Sequence, residues 1–465
     1  MSTLDLVIAN GRAVSPWGTA VLDIGVAEGR IRELATSPGH LDARRTVDAE
    51  GMLVLPGGVD PHVHFENPSM GTETAHDFGI GTEAAALGGT TTVIDFAFQA
   101  PGETPLETLR RRKAVADQKV AIDYSLHGCI TRADARSLDD IPQMAQFGAP
   151  STKVFMVYRD EGWMVEDGNL VDVMRRMRAV GGTLLIHAEN DGLLQWGVAR
   201  CLADRDMGAG GHARSRPPLV EAEAIQRAGL FSLETGCPVY VVHMSSAAGL
   251  ASLRVAQREG AQMYSETCGH YLTLNETFLD GPRGYRYVMS PPLRSAADQE
   301  SLWTGLSSGA IEAIGSDDAA YFEQYKVRGA DDFRHIANGI PGAQIRLPLL
   351  FSEGVVKHRL TLERFVDAVS TQPARLFGLY PQKGVLSPGS DADIVVYDPE
   401  TRWRPTPDNM RTNIEYTCYE HLEIIGRPVH VWCRGQQVVE SGQFVGQRGY
   451  GQFLARTPRG EEASR

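Results

Sequence analysis

The first 55 residues alternate apolar and polar positions between tight turns, as in LDLVIANGRAV, AVLDIGVAEGRI and RTVDAEGMLVL. Strand side chains alternate faces, and Asn-Gly and Glu-Gly pairs suit turns, so this texture predicts short strands in an antiparallel layer. It returns after Gly384, in GSDADIVVYDP and VHVWCRGQQVVESGQFV. Between the two ends the pattern changes. The runs MLVLPGGVDPHVH, TTTVIDFAF, AIDYSLHGCI, TKVFMVY, TLLIHAEN, PVYVVHMSS, AQMYSETCGHYL and AIEAIGSDD read as eight strands. The intervening segments carry apolar residues at helical spacing: Leu170, Met174 and Met177 share one face, as do Leu250, Leu253 and Ala256. Eight strand-then-helix units predict an α/β fold, a (β/α)8 barrel of the TIM type, with a β-sandwich domain built from both chain ends. The expected boundaries are 1–55 and 382–445 for the sandwich, 56–381 for the barrel, and 446–465 for a polar C-terminal arm or frayed tail. The polar stretch 401–413 reads as a loop.

Composition narrows the partners. A net charge of −13 without a basic stripe disfavours nucleic acid, whose phosphates would be repelled. The six cysteines show no CxxC spacing, so the sequence predicts reduced core thiols in a cytoplasmic protein rather than a zinc ribbon or a disulfide framework. The N-terminus lacks a charged segment followed by an apolar one, and no apolar run approaches the ~18 residues that span a bilayer. Secretion and membrane insertion are therefore not expected.

The candidate chemistry lies at the C-terminal ends of the predicted barrel strands. His62 and His64 end the first, Lys153 lies on the fourth, His187 on the fifth, His243 on the sixth and Asp317 on the eighth. The i, i+2 spacing of His62 and His64 points both imidazoles to one side of a strand, where they can share a metal ion. In a barrel all these strand ends converge on one mouth. An ammonium cannot ligate a metal. A buried lysine whose pKa is lowered exposes its neutral amine, however, and an amine that has captured carbon dioxide is an anionic carbamate with two oxygens able to bridge two metals.

The segments VDPHVHFE, GGTTTVIDF, STKVFMVY, IHAEN, HMSS, MSPPLR, IGSDD and ANGIPG occur in this order over residues 1 to about 445. Together they resemble the dihydropyrimidinase/D-hydantoinase branch of the cyclic amidohydrolases. The resemblance implies a metal-dependent hydrolase barrel with two zinc ions (or manganese or cobalt). His62, His64, carboxylated Lys153 and Asp317 would hold one ion, and Lys153, His187 and His243 the other. It implies that Asp317 acts as general base and then acid, that Tyr158 stabilises the oxyanion, and that Ser290 and Asn338 hold the substrate. The implied reaction converts dihydropyrimidines or 5-substituted hydantoins to N-carbamoyl amino acids. The implied assembly is a homotetramer in which the C-terminal end reaches across a subunit boundary.

Allantoinase or another ureide hydrolase of the same fold is the alternative, and Tyr158 favours the hydantoinase branch. A dihydroorotase would need a cation after the HxH, where this chain has Glu66. A non-catalytic scaffold relative would have lost ligand positions, and all six are filled here. Asp318 departs from the histidine usual in the branch and is expected to add negative charge beside the metals. Phe65, Phe155 and the segments around Met70, Phe96 and Phe98 are candidate walls for a ring substituent. His76, His127, His212, His270 and His335 are expected to be structural, and the run TLRRRKAV is expected to be a solvated helix face.

Overall fold

The structure, a computed structural model, describes residues 4–36, 39–69 and 71–458. The chain begins with strands β1 (Leu4–Ser15), β2 (Gly18–Ala27), β3 (Arg30–Ala35), β4 (Ala43–Asp48) and β5 (Leu53–Pro56). It continues with β6 (Gly58–Val63), the short hairpin β7 (Pro68–Ser69) and β8 (Thr72–Glu73), then β9 (Thr90–Phe98), β10 (Asp123–Cys129) and β11 (Ser151–Phe155). Next come β12 (Thr183–His187), β13 (Val239–Val241), β14 (Met263–Cys268) and β15 (Ala313–Gly315). The C-terminal part adds β16 (Ile394–Trp403), β17 (Ile424–Cys433), β18 (Gln436–Glu440) and β19 (Gln443–Phe444).

Eight strands form a parallel sheet in the order β15-β14-β13-β12-β11-β10-β9-β6. The sheet closes into the expected barrel at its mouth, where Val63 bridges Asp318 in parallel, His64 N–H donates to Asp318 O at 2.9 Å and Asp317 N–H donates to His62 O at 2.9 Å. Helices follow the strands on the outside. Asp167–Ala179 buries Leu170, Met174 and Met177, and Ala247–Arg258 buries Leu250, Leu253 and Ala256, the faces read from their spacing. Inside, Val59, Ile94, Phe96, Leu185, Tyr240 and Val242 share one cluster with Phe377 and Leu379 from the segment that follows the barrel.

The sandwich expected from the two chain ends is a single nine-stranded sheet, β19-β18-β17-β16-β5-β1-β2-β3, with β4 joined to β1. It is mixed rather than purely antiparallel, because β1 runs parallel to both β4 and β5. Its own core brings Leu6, Ile8, Ile24, Val26 and Ile31 against Ala392, Ile394, Val396 and Trp432.

Three local expectations change. The run MLVLPGGVDPHVH is two strands: β5 pairs with β16 in the outer sheet, β6 pairs with β9 in the barrel, and Gly57 alone separates them. A Cβ at Gly57 would stand 2.1 Å from Thr91 Oγ1, so only glycine fits this seam. The stretch 401–413 begins as strand, with β16 running through Trp403, before it becomes a loop. The C-terminal arm is not frayed through residue 458. Leu454 joins the inner core, its N–H donating to Tyr124 O at 2.7 Å and its carbonyl accepting from Ser125 Oγ at 2.8 Å, while buried Arg456 donates to Ser125 Oγ, Leu126 O and Ser151 Oγ. It therefore lies along β10 of its own barrel. Of the end expected across a subunit boundary, 446–465, residues 459–465 lie outside the described residues.

In TLRRRKAV the solvated reading fails at Arg112. That side chain is buried, donates to Asp95 at 2.7 Å, and also donates to Phe65 O and Glu66 O, pinning the chain just after the HxH.

Candidate metal centre

His62 and His64 project from the end of β6 onto the ring of Phe96, with ring centroids 4.7 and 5.0 Å away. His62 Nε2 and His64 Nε2 are 3.1 Å apart, and Asp317 Oδ1 lies 3.1 Å from the first and 3.3 Å from the second. Ligands about 2.0–2.1 Å from a tetrahedral ion stand roughly 3.3–3.4 Å apart, so this trio has the spacing of a cation's ligand set. Lys153 Nζ is 3.4 Å from His62 Nε2. His243 extends the group, its ring centroid 5.4 Å from that of His62 and 4.6 Å from that of His187. All six residues named from strand ends thus meet at one mouth, and His62, His64 and Asp317 form the compact part.

The electrostatics fit a cation. Asp317 is held well below the ordinary carboxylate range: burial opposes ionisation, but His62, His64 and His243 outweigh it. Burial pushes His64 down to about 3 and His243 well below its usual value, so both rings are neutral, the form that ligates. Buried His64 Nδ1 and His243 Nδ1 have no hydrogen-bond partner. Burial also lowers the pKa of Lys153, against the pull of Asp317. The neutral rings of His64 and His243, an ionised carboxylate and a buried amine whose pKa is lowered are a donor set fitted to a divalent ion.

Two orienting carboxylates escaped the sequence reading. Glu266 on β14 hydrogen-bonds His62 Nδ1 and also accepts from Tyr240 at 3.0 Å. Glu189 accepts from His187 Nε2 at 2.7 Å and pairs with Arg216 at 3.1 Å; Arg216 and His187 outweigh burial and hold its pKa at about 2. Each left a signal in the sequence: a glutamate inside the strand run MYSETC, and a carboxylate at i+2 from His187.

The mouth opens into a cavity of about 620 Å³ lined by His64, Lys153, His187, His243 and Asp317, and also by Tyr158, Ser290 and Asn338. Asn338 Nδ2 donates to Ser290 Oγ at 3.1 Å. Tyr158, His243 and Asp317 adopt φ of +70°, +42° and +48°, the left-handed region that side chains with a Cβ avoid. Such strain gathers where surrounding structure forces a functional geometry. Of the candidate walls, Phe98 and Phe155 line the cavity, whereas Phe65 packs against Phe78 and Phe96 lies under the histidines. Trp163 and Tyr321, unforeseen, complete the wall. Met70 lies outside the described residues.

Two charge expectations are corrected. Asp318 does not face the centre. It accepts from His76 Nδ1 at 2.8 Å and from the N–H groups of Gly342 and Ala343 at 2.8 and 2.9 Å, so its charge is compensated away from the cavity. Glu66 turns away as well, to Lys119, and does not repel a substrate carboxylate. What disfavours such a carboxylate is that Lys153 is the only lysine or arginine among the described lining residues. His76, His127 and His212 are hydrogen-bonded and buried, as a structural role requires; His335 is exposed, and the ring nitrogens of His270 have no hydrogen-bond partner among the described residues.

Residues 53–438 match the Amidohydrolase family. Over 98% of its length the chain is 38% identical to a D-hydantoinase of Geobacillus stearothermophilus, covering 97% of that protein. It is 37% identical to a D-phenylhydantoinase of Escherichia coli O1:K1, with 97% of this chain and 98% of the relative covered. The crystal structure of dihydropyrimidinase from Brevibacillus agri NCHU1002 superposes with a TM-score of 0.94 at 36% identity, covering 97% of this chain and 98% of the other. A family match over most of the chain, full-length likeness and a shared barrel agree: the chain belongs to the amidohydrolase family, in its hydantoinase and dihydropyrimidinase branch.

Proposed function

We propose that this enzyme hydrolyses the amide bond of a cyclic ureide, opening dihydropyrimidines or 5-substituted hydantoins to N-carbamoyl amino acids. The observation that carries the reading is the spacing of His62, His64 and Asp317, with Lys153 3.4 Å from His62. In it, His62, His64, Lys153 and Asp317 would hold one zinc ion and Lys153, His187 and His243 a second; manganese or cobalt could substitute. Lys153 serves as the N6-carboxylated form. Its neutral amine adds carbon dioxide, forming an N–C bond and releasing a proton, and burial without a carboxylate within salt-bridge distance among the described residues favours that neutral amine. When bound, the ion pair supplies Lewis acidity, polarising a carbonyl and making water acidic enough to ionise near neutral pH.

The chain's own residues do the rest. Asp317, kept ionised, accepts the proton of the attacking water and returns it to the departing ring nitrogen. The Tyr158 phenol, kept protonated because burial raises its pKa, donates to the carbonyl oxygen as it gains charge. Ser290 and Asn338 hold the imide edge, and Phe98, Phe155 and Trp163 face the substituent at ring carbon 5. We also propose a homotetramer acting in the cytoplasm; no described helix is long and apolar enough to cross a membrane.

The test is hydrolysis of dihydrouracil, hydantoin, 5-phenylhydantoin, allantoin and dihydroorotate side by side, with metal content and mass by light scattering on the same sample. Dihydrouracil or the hydantoins should open, and Lys153→Ala should lose most of the metal and the activity. Tyr158→Phe should slow turnover on the order of 10²–10³-fold, the usual loss of one oxyanion donor. Metal-free protein inert to every ring after zinc or manganese and bicarbonate are supplied would refute the reading.

A further inference from the structure

Two buried residues beside Asp317 have no part in the reaction above. Cys268 ends β14, fully buried and in no disulfide. His270, two residues on, is 1% exposed, and neither ring nitrogen has a hydrogen-bond partner. His76, His127 and His212 are equally buried and all are bonded, whereas among the described residues both ring nitrogens of His270 are left without a hydrogen bond. One ligand atom each from Cys268, His270 and Asp317 lies within 4.8 Å of the other two. Sulfur, imidazole nitrogen and carboxylate oxygen together suit a borderline-soft divalent ion, whereas the oxygen-only sets of magnesium or calcium do not.

We propose that Cys268, His270 and Asp317 form a further cation site, for a thiophilic divalent ion such as cadmium or excess zinc, and that filling it slows turnover by engaging Asp317. Binding breaks the Cys268 S–H bond, forms a sulfur–metal bond and releases the proton to solvent, while one His270 nitrogen gains the partner it lacks. Asp317 Oδ1 faces His62 and His64 at 3.1 and 3.3 Å, so an ion on the cysteine side competes for the same carboxylate. The slowing rests on the proposed role of Asp317 as proton carrier; the site itself does not.

Cadmium chloride titrated into the enzyme as isolated separates the two. A thiolate that binds cadmium gains an ultraviolet charge-transfer band, which the histidines, lysine and aspartate of the main centre cannot give. One equivalent beyond the resident metal should produce the band. Cys268→Ser should abolish it, and His270→Ala should weaken cadmium binding at least about tenfold, as removal of a supporting metal-site residue does. Inhibition should track the band in the wild type and be relieved in Cys268→Ser. No band at saturation, an undiminished band in Cys268→Ser, or unchanged affinity in His270→Ala would overturn the site. Equal inhibition in wild type and Cys268→Ser would overturn the coupling to Asp317. Resident metal content, measured before cadmium is added, bears only on the main centre.

Discussion

His62 is gripped on both ring nitrogens, by Asp317 through Nε2 and by Glu266 through Nδ1. Burial disfavours its charged form, but the two carboxylates outweigh that and raise its pKa. Glu266 thereby fixes which nitrogen faces the cavity. Glu266→Gln should lower metal affinity by about 10–100-fold, the usual loss when an orienting partner of a ligating histidine is removed. Competition with a chelator measures it, and unchanged affinity would reduce Glu266 to a packing role. At this scale the sequence exposed the residues that face the cavity, because strand alternation fixes where His62 and His64 point. It hid those that orient them. Glu266 lies more than two hundred positions from His62, and Asp318 was misjudged because a carboxylate beside Asp317 in sequence points, one residue later along the chain, to His76 instead.

Among the elements, the eight barrel strands were legible because each is a short run bounded by turn residues and followed by a segment with apolar residues at helical spacing. The seam at Gly57 was not, since β5 and β6 are both fully buried and read as one run. Nor was the support beneath the substrate loops. Lys326, on the helix Glu323–Val327, is fully buried and donates to Val288 O at 2.9 Å and Ala337 O at 3.0 Å, tying together the segments that present Ser290 and Asn338. Burial lowers its pKa to about 7 from 10.5. Between those values the unfolded chain binds a proton that the folded chain does not, so this residue makes stability rise with pH from about 7 towards 10.5 and contributes no slope below 7. Lys326→Met removes the slope. The unfolding free energy of wild type minus variant should be level below pH 7 and then grow by at most about 1.4 kcal/mol per pH unit. Urea unfolding at several pH values measures it, and a flat difference would show that Lys326 keeps an ordinary pKa.

Across the whole molecule, a buried ionic cluster joins barrel to outer sheet. Lys383 Nζ lies 2.6 Å from Asp123 on β10, 2.9 Å from Asp393 and 3.1 Å from Asp391, and Arg434 reaches Asp123 at 3.0 Å. Burial opposes the ammonium, but Asp393 and Asp123 hold it charged. Lys383→Met would strand these carboxylates and should cost about 3–5 kcal/mol, the usual penalty for breaking a buried pair. Denaturant unfolding measures this, and Asp393→Asn in the same chain should recover part of the loss; a midpoint shift near zero would mean that water already reaches the cluster. The partnership of the two chain ends was legible in their shared texture, whereas this cluster was not, because its members lie in three separate segments.

Gly57 carries a consequence for anyone who would re-engineer the enzyme. Its N–H donates to Asp393 O at 2.9 Å, its carbonyl accepts from Ser370 at 2.6 Å, and the HxH begins five residues later. A chimera that exchanges the outer sheet between relatives must splice at a position that admits neither a linker nor a side chain, so any misfit there is transmitted straight to His62. The tradeable unit is the entire polypeptide, and swaps confined to the loops around the cavity are the ones that leave the ligands in place.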